Sequence, residues 1–213
     1  TKQVTPKNFI IATLVVIGIL LFVFKLLLPY TLSFFAGAEL FFVNSIGLPF
    51  HSGTIIAGLI IAGLFYYFIQ YTRKKGYRQL NLILLCLLFV LVGFSSWIML
   101  PIRANAGTVI NENNPSSAEA LLAYYNRDQY PETHLFYGPQ FTEIFAGLDK
   151  EKPYSDEEPK YERDEERGEY VIVNDYKNAK QNSPSEHKSL IPRMWSMEHA
   201  ENYMNYTGTL DFT

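Results

Sequence analysis

Three long apolar segments within the first 100 residues constrain this chain more than any other feature. They lie at Phe9–Leu28, Thr54–Tyr71 and Leu80–Leu100, and Lys25 is the only charged residue inside them. An α-helix of about 20 residues crosses the ~30 Å hydrocarbon core of a bilayer. The sequence therefore predicts three transmembrane helices, at about residues 9–28, 54–71 and 80–100.

A cleaved signal peptide is the alternative interpretation of the first segment. The segment is longer than the apolar core of a typical signal peptide, and no Ala-x-Ala cleavage site follows it. Lys25 lies one helical turn before Pro29, so its ammonium group can reach the membrane interface. We therefore expect a true membrane span.

Charge divides the chain at about residue 100. Residues 1–100 carry a net charge of +6, and residues 101–213 carry −9. An acidic extramembrane part repels phosphate, which argues against nucleic acid as a partner. The single Cys86 excludes an internal disulfide framework and a cysteine-only zinc site. We expect a membrane region at 1–100, with the lipid bilayer as partner, followed by an acidic exterior segment at 101–213. Because the chain starts at Thr1 without Met, we also expect it to be a piece of a longer protein.

Basic residues near the ends of the apolar segments predict their orientation. Arg73, Lys74, Lys75 and Arg78 crowd the connection between the second and third segments, whereas residues 29–52 contain no Lys or Arg. The positive-inside rule places the basic connection and the N-terminus in the cytoplasm. Residues 29–52 and everything after residue 101 then lie on the outer side, which in a bacterial inner membrane is the periplasm.

Residues 29–52 form an unusually apolar outer loop. It is too short to cross the membrane twice, and an interfacial helix at about 31–45, ended by the Gly47-Leu48-Pro49 break, fits it better. Among its few polar residues are Glu39, Asn44 and His51. They either line a headgroup or substrate site or serve as solvated and helix-capping groups. Glu39 is the only acid in the first 100 residues.

The exterior segment has the pattern of a small, irregular α+β structure. A turn cluster at 111–117 predicts a helix that starts after Asn114 or Ser116 and ends near Tyr130, before Pro131. Residues 160–163 and 169–173 flank a charged turn and predict a β-hairpin. Taken as a whole, the chain is predicted to be a mostly α membrane protein with three spans, an interfacial helix and this hairpin-containing segment.

No sequence motif assigns a reaction. The chain has no Gly-rich phosphate loop and no Gly-x-Ser-x-Gly, and no pair of its four histidines has metal-ligand spacing. Paired acids occur only in runs typical of solvated loops. From the residues alone we expect a membrane protein with an acidic exterior segment, with no metal site and no evident cofactor.

Five segments resemble a Bacteroidetes membrane-protein family of unknown function. They are residues 41–50, the pair 102–105 and 110–115, residues 125–130 and residues 192–196. The family is similar to the transmembrane O-mannosyltransferases of the GT-C class. The resemblance implies transfer of a sugar from a polyprenyl-phosphate donor to a protein or glycan acceptor on the periplasmic side. No catalytic residue carries over, because the catalytic acid of such enzymes lies in an earlier exterior loop that this chain does not match.

Three arginines are candidates for contacting a donor phosphate or a lipid headgroup. Arg103 follows the third apolar segment directly, at headgroup depth, where a guanidinium can bind phosphate in bidentate fashion. Arg127 and Arg193 are weaker candidates, since each has acidic neighbours that can pair with it. The alternative to the enzyme is a membrane-anchored periplasmic interaction or structural protein without catalysis.

Overall fold

The computed structural model describes residues 5–130, 134, 136–140, 148–194, 196 and 199–208. The chain forms two compact units, one of Thr1–Gln129 with Arg163–Tyr170 and the other of Tyr130–Glu162 with Val171–Thr213. Most described residues are helical, and the long helices belong to the first unit. Among these described residues, three helices are long and apolar enough to cross a membrane, in the regions where the sequence predicts spans.

The described residues of the first unit form six α-helices. The first long helix, Pro6–Ser45, consists of α1 (Pro6–Phe22), a π-helical turn (Val23–Leu27), α2 (Leu28–Leu40) and a second π-helical turn (Phe41–Ser45). The second is α3 (Ser52–Lys75). The third, Arg78–Asn105, consists of α4 (Arg78–Phe94), a 3-10 turn (Ser95–Ile98) and α5 (Met99–Asn105). A short helix, α6 (Ala118–Asn126), follows.

The helix predicted at about 31–45 is present, but it continues the first helix instead of starting anew. Pro29 does not break the chain's path because it lies in the first turn of α2, directly after a π-helical turn. There the Leu28 N–H donates to the Val23 carbonyl, and the next donor in this pattern is Pro29, which has no N–H. The hydroxyl of Tyr125 on α6 donates to the Phe24 carbonyl instead, at 2.7 Å.

One face of α2 forms the core of the first unit, against α3 and α6. Its buried residues, together with one from the π-helical turn that follows, recur every three or four positions: Leu28, Leu32, Ala36, Glu39 and Val43. This spacing places them on a single stripe of the helix. The stripe is apolar except for Glu39.

Gly53 allows the start of α3 to lie directly against α2. A Cβ atom at this position would lie 2.5 Å from the Ala38 carbonyl oxygen and 2.5 Å from the Glu39 Cα. Small residues permit such close backbone approach between helices. The contact brings the N-terminus of α3 to the side chain of Glu39.

The helix α6 is shorter than the sequence predicts, and its N-cap is Ser117, not Asn114 or Ser116. The Ser117 hydroxyl accepts a hydrogen bond from the Ala120 N–H at 3.1 Å. Asn113 and Asn114 adopt positive φ angles of 62° and 37°, so the chain is still turning when it reaches residue 116. At the other end Arg127, with a φ of 61°, stops the helix after Asn126.

The second unit contains short antiparallel strand pairs and one helix among its described residues. Strand β1 (Tyr137–Pro139) pairs with β6 (Lys188–Leu190), and β2 (Tyr154–Ser155) pairs with β5 (Lys180–Gln181). A 3-10 turn at Ser185–His187 precedes β6, and α7 (Ala200–Thr207) follows it. Pairs of two or three residues bury little side-chain area, so this unit has few core positions.

The predicted β-hairpin is confirmed. It consists of β3 (Lys160–Asp164) and β4 (Glu169–Asn174). The Asp164 carboxylate closes the turn by accepting hydrogen bonds from the Glu166 and Arg167 N–H groups at 3.0 and 3.1 Å. Its tip, Arg163–Tyr170, belongs to the first unit.

Candidate functional site: a buried carboxylate at the turn between α2 and α3

The Glu39 side chain is the most deeply buried acid among the described residues, with 1% of its surface exposed. One carboxylate oxygen, Oε1, accepts hydrogen bonds from the His51 N–H and, at 3.2 Å, from the Tyr170 hydroxyl. The other, Oε2, accepts from the Thr54 N–H at 2.8 Å and the Thr54 hydroxyl at 3.0 Å. A carboxylate has about four acceptor positions, so this group is saturated.

Two of these donors belong to the N-terminus of α3. The first N–H groups of a helix have no partner within it and carry partial positive charge. His51 is the N-cap residue, in the left-handed conformation with a φ of 70°, and its own side chain makes no capping hydrogen bond. The Glu39 carboxylate from α2 therefore caps α3 in its place.

Tyr170 connects the hairpin tip to this carboxylate. Its side chain is 4% exposed, and its ring meets the ring of Phe50 edge to face at a centroid distance of 5.2 Å. Burial, and next the charge of Glu39, raise the pKa of Tyr170 far above its usual range. The phenol consequently remains a neutral hydrogen-bond donor to Glu39.

Asn44 holds the backbone of the same tyrosine. Its amide nitrogen donates to the Tyr170 carbonyl at 2.8 Å, and its amide oxygen accepts from the Tyr170 N–H at 2.9 Å. Both backbone groups of Tyr170 are thereby satisfied by one side chain from the second π-helical turn. This pair fixes the position of the hairpin tip as well as that of the phenol.

Arg163 supplies a third contact of the hairpin tip. Its guanidinium carbon lies 5.3 Å from the centre of the Phe50 ring, and its Nη1 lies 3.4 Å from the His51 Nε2. Its Nε lies 2.8 Å from a carboxylate oxygen of Glu165. The cationic group therefore lies between an aromatic ring, an imidazole and an acid.

The structure brings together all three polar residues that the sequence singles out in the loop: Glu39, Asn44 and His51. It gives Glu39 the capping role and gives His51 a backbone contact. Sequence reasoning missed Thr54 and Tyr170, which donate hydrogen bonds to Glu39, because nothing local in the sequence marks them as its partners. Tyr170 is 131 positions away from Glu39. It also missed Arg163, which contacts Phe50 and His51.

The three candidate arginines lie elsewhere. Arg103 is exposed in the last turn of α5, and Arg127 is the exposed C-cap of α6. Within the part of the chain that the structure describes, neither makes a hydrogen bond or an ion pair to the Glu39 cluster. Arg193 is exposed in the second unit, shortly after β6.

The hydrogen bonds of the Glu39 cluster suit a structural role rather than acid–base chemistry. A general base needs an oxygen free to accept a proton from a substrate, and both oxygens of Glu39 are occupied and buried. Among the described residues there is no group of three or more His, Cys, Asp or Glu side chains placed to hold a metal ion.

Comparison with protein families places a match in the C-terminal part of the chain. The model of a family described as "Family of unknown function (DUF8416)" matches residues 131–212, which is less than half of the chain. The matched residues lie mainly in the second unit and include the hairpin. No curated protein and no solved structure matches this chain.

Proposed function

We propose that this chain is part of an integral membrane glycosyltransferase-like protein. In this proposal the whole protein transfers a sugar from a polyprenyl-phosphate donor to a protein or glycan acceptor on the periplasmic side of a bacterial inner membrane. The resemblance to the O-mannosyltransferases supports the activity. The three membrane-length helices and the basic connection between α3 and α4 support the location and the orientation.

Within that protein, the role of the Glu39 cluster is to hold α2, α3 and the hairpin tip in a fixed arrangement. The observation that supports a structural role for this segment is the saturation of Glu39. Both of its carboxylate oxygens accept hydrogen bonds from donors of the chain itself. Glu39 joins α2, α3 and the hairpin tip, and the catalytic carboxylate is a different residue. The hairpin tip is thereby fixed against the ends of two helices.

Arg103 is the residue that we propose for the donor phosphate. It is exposed in the last turn of a helix long and apolar enough to cross the membrane, and this supports a position of its guanidinium near the lipid phosphates. A guanidinium binds phosphate oxygens in pairs and stabilises the charge that develops on a leaving phosphate. The alternative role for Arg103 is that of an ordinary interface anchor.

The test measures sugar transfer in membranes that contain the intact native protein, with polyprenyl-phosphate-linked mannose as the donor. The Arg103→Ala variant loses one charge-assisted contact with the donor phosphate. Its rate of sugar transfer should therefore be about tenfold lower than that of the native protein, or lower still. Arg78→Ala is the matched control, because Arg78 lies at the opposite end of the same long helix. Both variants should reach the membrane in normal amounts.

Two results would count against the proposal. Normal transfer by Arg103→Ala would remove this residue from the site. Absence of transfer by the native protein would favour the alternative, a membrane-anchored periplasmic protein that binds partners through its acidic segment. That alternative fits the structural role of Glu39 equally well.

A further inference from the structure

The loop between α5 and α6 presents two apolar side chains to the surroundings. Val109 is fully exposed and Ile110 is 81% exposed. Isolated apolar residues at a surface are ordinary, but a contiguous apolar patch marks an interaction site. We call Val109 and Ile110 the apolar tip.

Side-chain hydrogen bonds at the base of this loop fix its conformation and keep the apolar tip exposed. At its base, the Asn105 amide donates to the Pro101 carbonyl and to the Ser116 carbonyl, both at 2.8 Å. The Asn111 amide donates to the Ala104 carbonyl at 3.2 Å. These two side chains tie both ends of the loop to the end of α5 and to each other. The residues between them therefore project as a closed loop.

The same asparagines explain a sequence motif that the proposed activity leaves unused. Residues 102–105 and 110–115 are among the segments that carry the family resemblance, and they are rich in asparagine. Two further asparagines, Asn113 and Asn114, take the positive φ angles that turn the chain back toward α6. The motif thus encodes the shape of the loop.

The apolar tip follows the third long helix closely along the chain, because that helix ends at Asn105. Near the end of that helix, three side chains are each more than half exposed: Ile98, Met99 and Ile102. Along the chain, the tip therefore adds two more exposed apolar side chains after the last helical turn. Such a succession is expected where a chain leaves the hydrocarbon core but stays in the interface.

Charge near the tip fits the same surroundings. The exposed Arg103 lies in the last turn of α5 and is complementary to lipid phosphate. Glu112, the only acid in residues 105–117, comes after Asn111 and so lies beyond the tied end of the loop. Along the chain, the cationic Arg103 comes first and the apolar tip follows it. The hydrogen-bonding Asn111 and the acidic Glu112 come after the tip.

We infer that the apolar tip inserts into the outer leaflet of the membrane that the long helices cross, with Arg103 at the phosphate level. This inference rests on the membrane location in the proposed function. The occupant of the apolar surface is lipid, at the boundary between headgroups and acyl chains. The loop thereby holds the start of α6 at the membrane surface.

The experiment uses the full chain in vesicles of phosphatidylcholine and phosphatidylglycerol and a spin label on single cysteines. Collisions with oxygen, which concentrates in hydrocarbon, are compared with collisions with a water-soluble nickel complex. The native Cys86 is exposed on α4 and reports on the helix itself. In a Cys86→Ala background, Val109→Cys and Ile110→Cys report on the tip, and Glu112→Cys is the matched control.

We expect the oxygen-to-nickel collision ratio at positions 109 and 110 to exceed that at 112 about threefold, and to lie below that at Cys86, as for shallow insertion. Equal ratios at 109, 110 and 112, with a high ratio at Cys86, would overturn the inference and leave the membrane location standing. A low ratio at Cys86 would overturn the membrane location itself, and the inference with it.

Discussion

Replacing Glu39 by glutamine tests whether the buried carboxylate holds the first unit together. The substitution keeps the shape of the side chain but replaces one acceptor oxygen by an NH2 group. Each oxygen of Glu39 accepts one backbone N–H, from His51 or Thr54, and one hydroxyl, from Tyr170 or Thr54. A hydroxyl can rotate and accept a hydrogen bond from the new NH2 group, whereas a backbone N–H cannot.

The magnitude follows from this count. In either orientation of the glutamine amide, one buried N–H of the α3 terminus is left without an acceptor, which costs about 1–3 kcal/mol. The hydrogen bonds that remain lose their charge assistance, worth roughly 1 kcal/mol in total. Burying a neutral amide in place of a charge recovers part of this loss. We expect the free energy of unfolding to fall by about 2 kcal/mol.

The assay is reversible unfolding of the purified protein in detergent, together with protease cleavage at the hairpin tip. The control is Glu162→Gln on the same hairpin. The Glu162 side chain is 55% exposed and pairs with Lys160, so its loss should cost less than about 0.5 kcal/mol. If Glu39→Gln unfolds at the same point as Glu162→Gln, with the same cleavage rate, Glu39 does not cap α3 as we describe.

Two further predictions concern the same region. Gly53→Ala should destabilise the first unit by about 3 kcal/mol, because its methyl group would overlap the backbone at Ala38 and Glu39. Gly63→Ala, on the same helix with nothing within 4 Å, should be neutral or stabilising by up to about 1 kcal/mol in the same unfolding assay. Folding raises the pKa of Tyr170, so the neutral phenol is favoured in the folded state. The contribution of Tyr170 to the free energy of unfolding should therefore be fully present below about pH 10 and decline above it. Unfolding measured from pH 8 to 11 should show this decline in the native protein and a smaller one in Tyr170→Phe.

Local patterns were sufficient to locate the three apolar, membrane-length helices and the hairpin along the chain. Apolar length predicts where the three helices lie, because nearly every side chain in these segments is apolar. The turn at 164–168 predicts the hairpin, because a short aspartate side chain and a glycine close it within five residues. These interactions join neighbours in the sequence.

The path of the first helix was predicted incorrectly because a distant group compensates for a local defect. Pro29 and the outer loop suggested two separate helices. The structure retains one helix, in which the Phe24 carbonyl is satisfied by Tyr125, 101 positions later in the chain. Sequence reasoning about a proline counts the lost N–H but cannot identify a remote donor that replaces it.

The sequence by itself determined which segments are apolar enough to cross a membrane, where the hairpin turns, and that Glu39 is exceptional as the sole acid of the first 100 residues. Only the tertiary structure decided what Glu39 does. Its partners come from the start of α3 and from a hairpin 131 positions away, and Gly53 lets the two helices approach closely enough for the contact. A side chain's residue type fixes which hydrogen bonds it can make, but packing over long sequence distances selects the groups that make them.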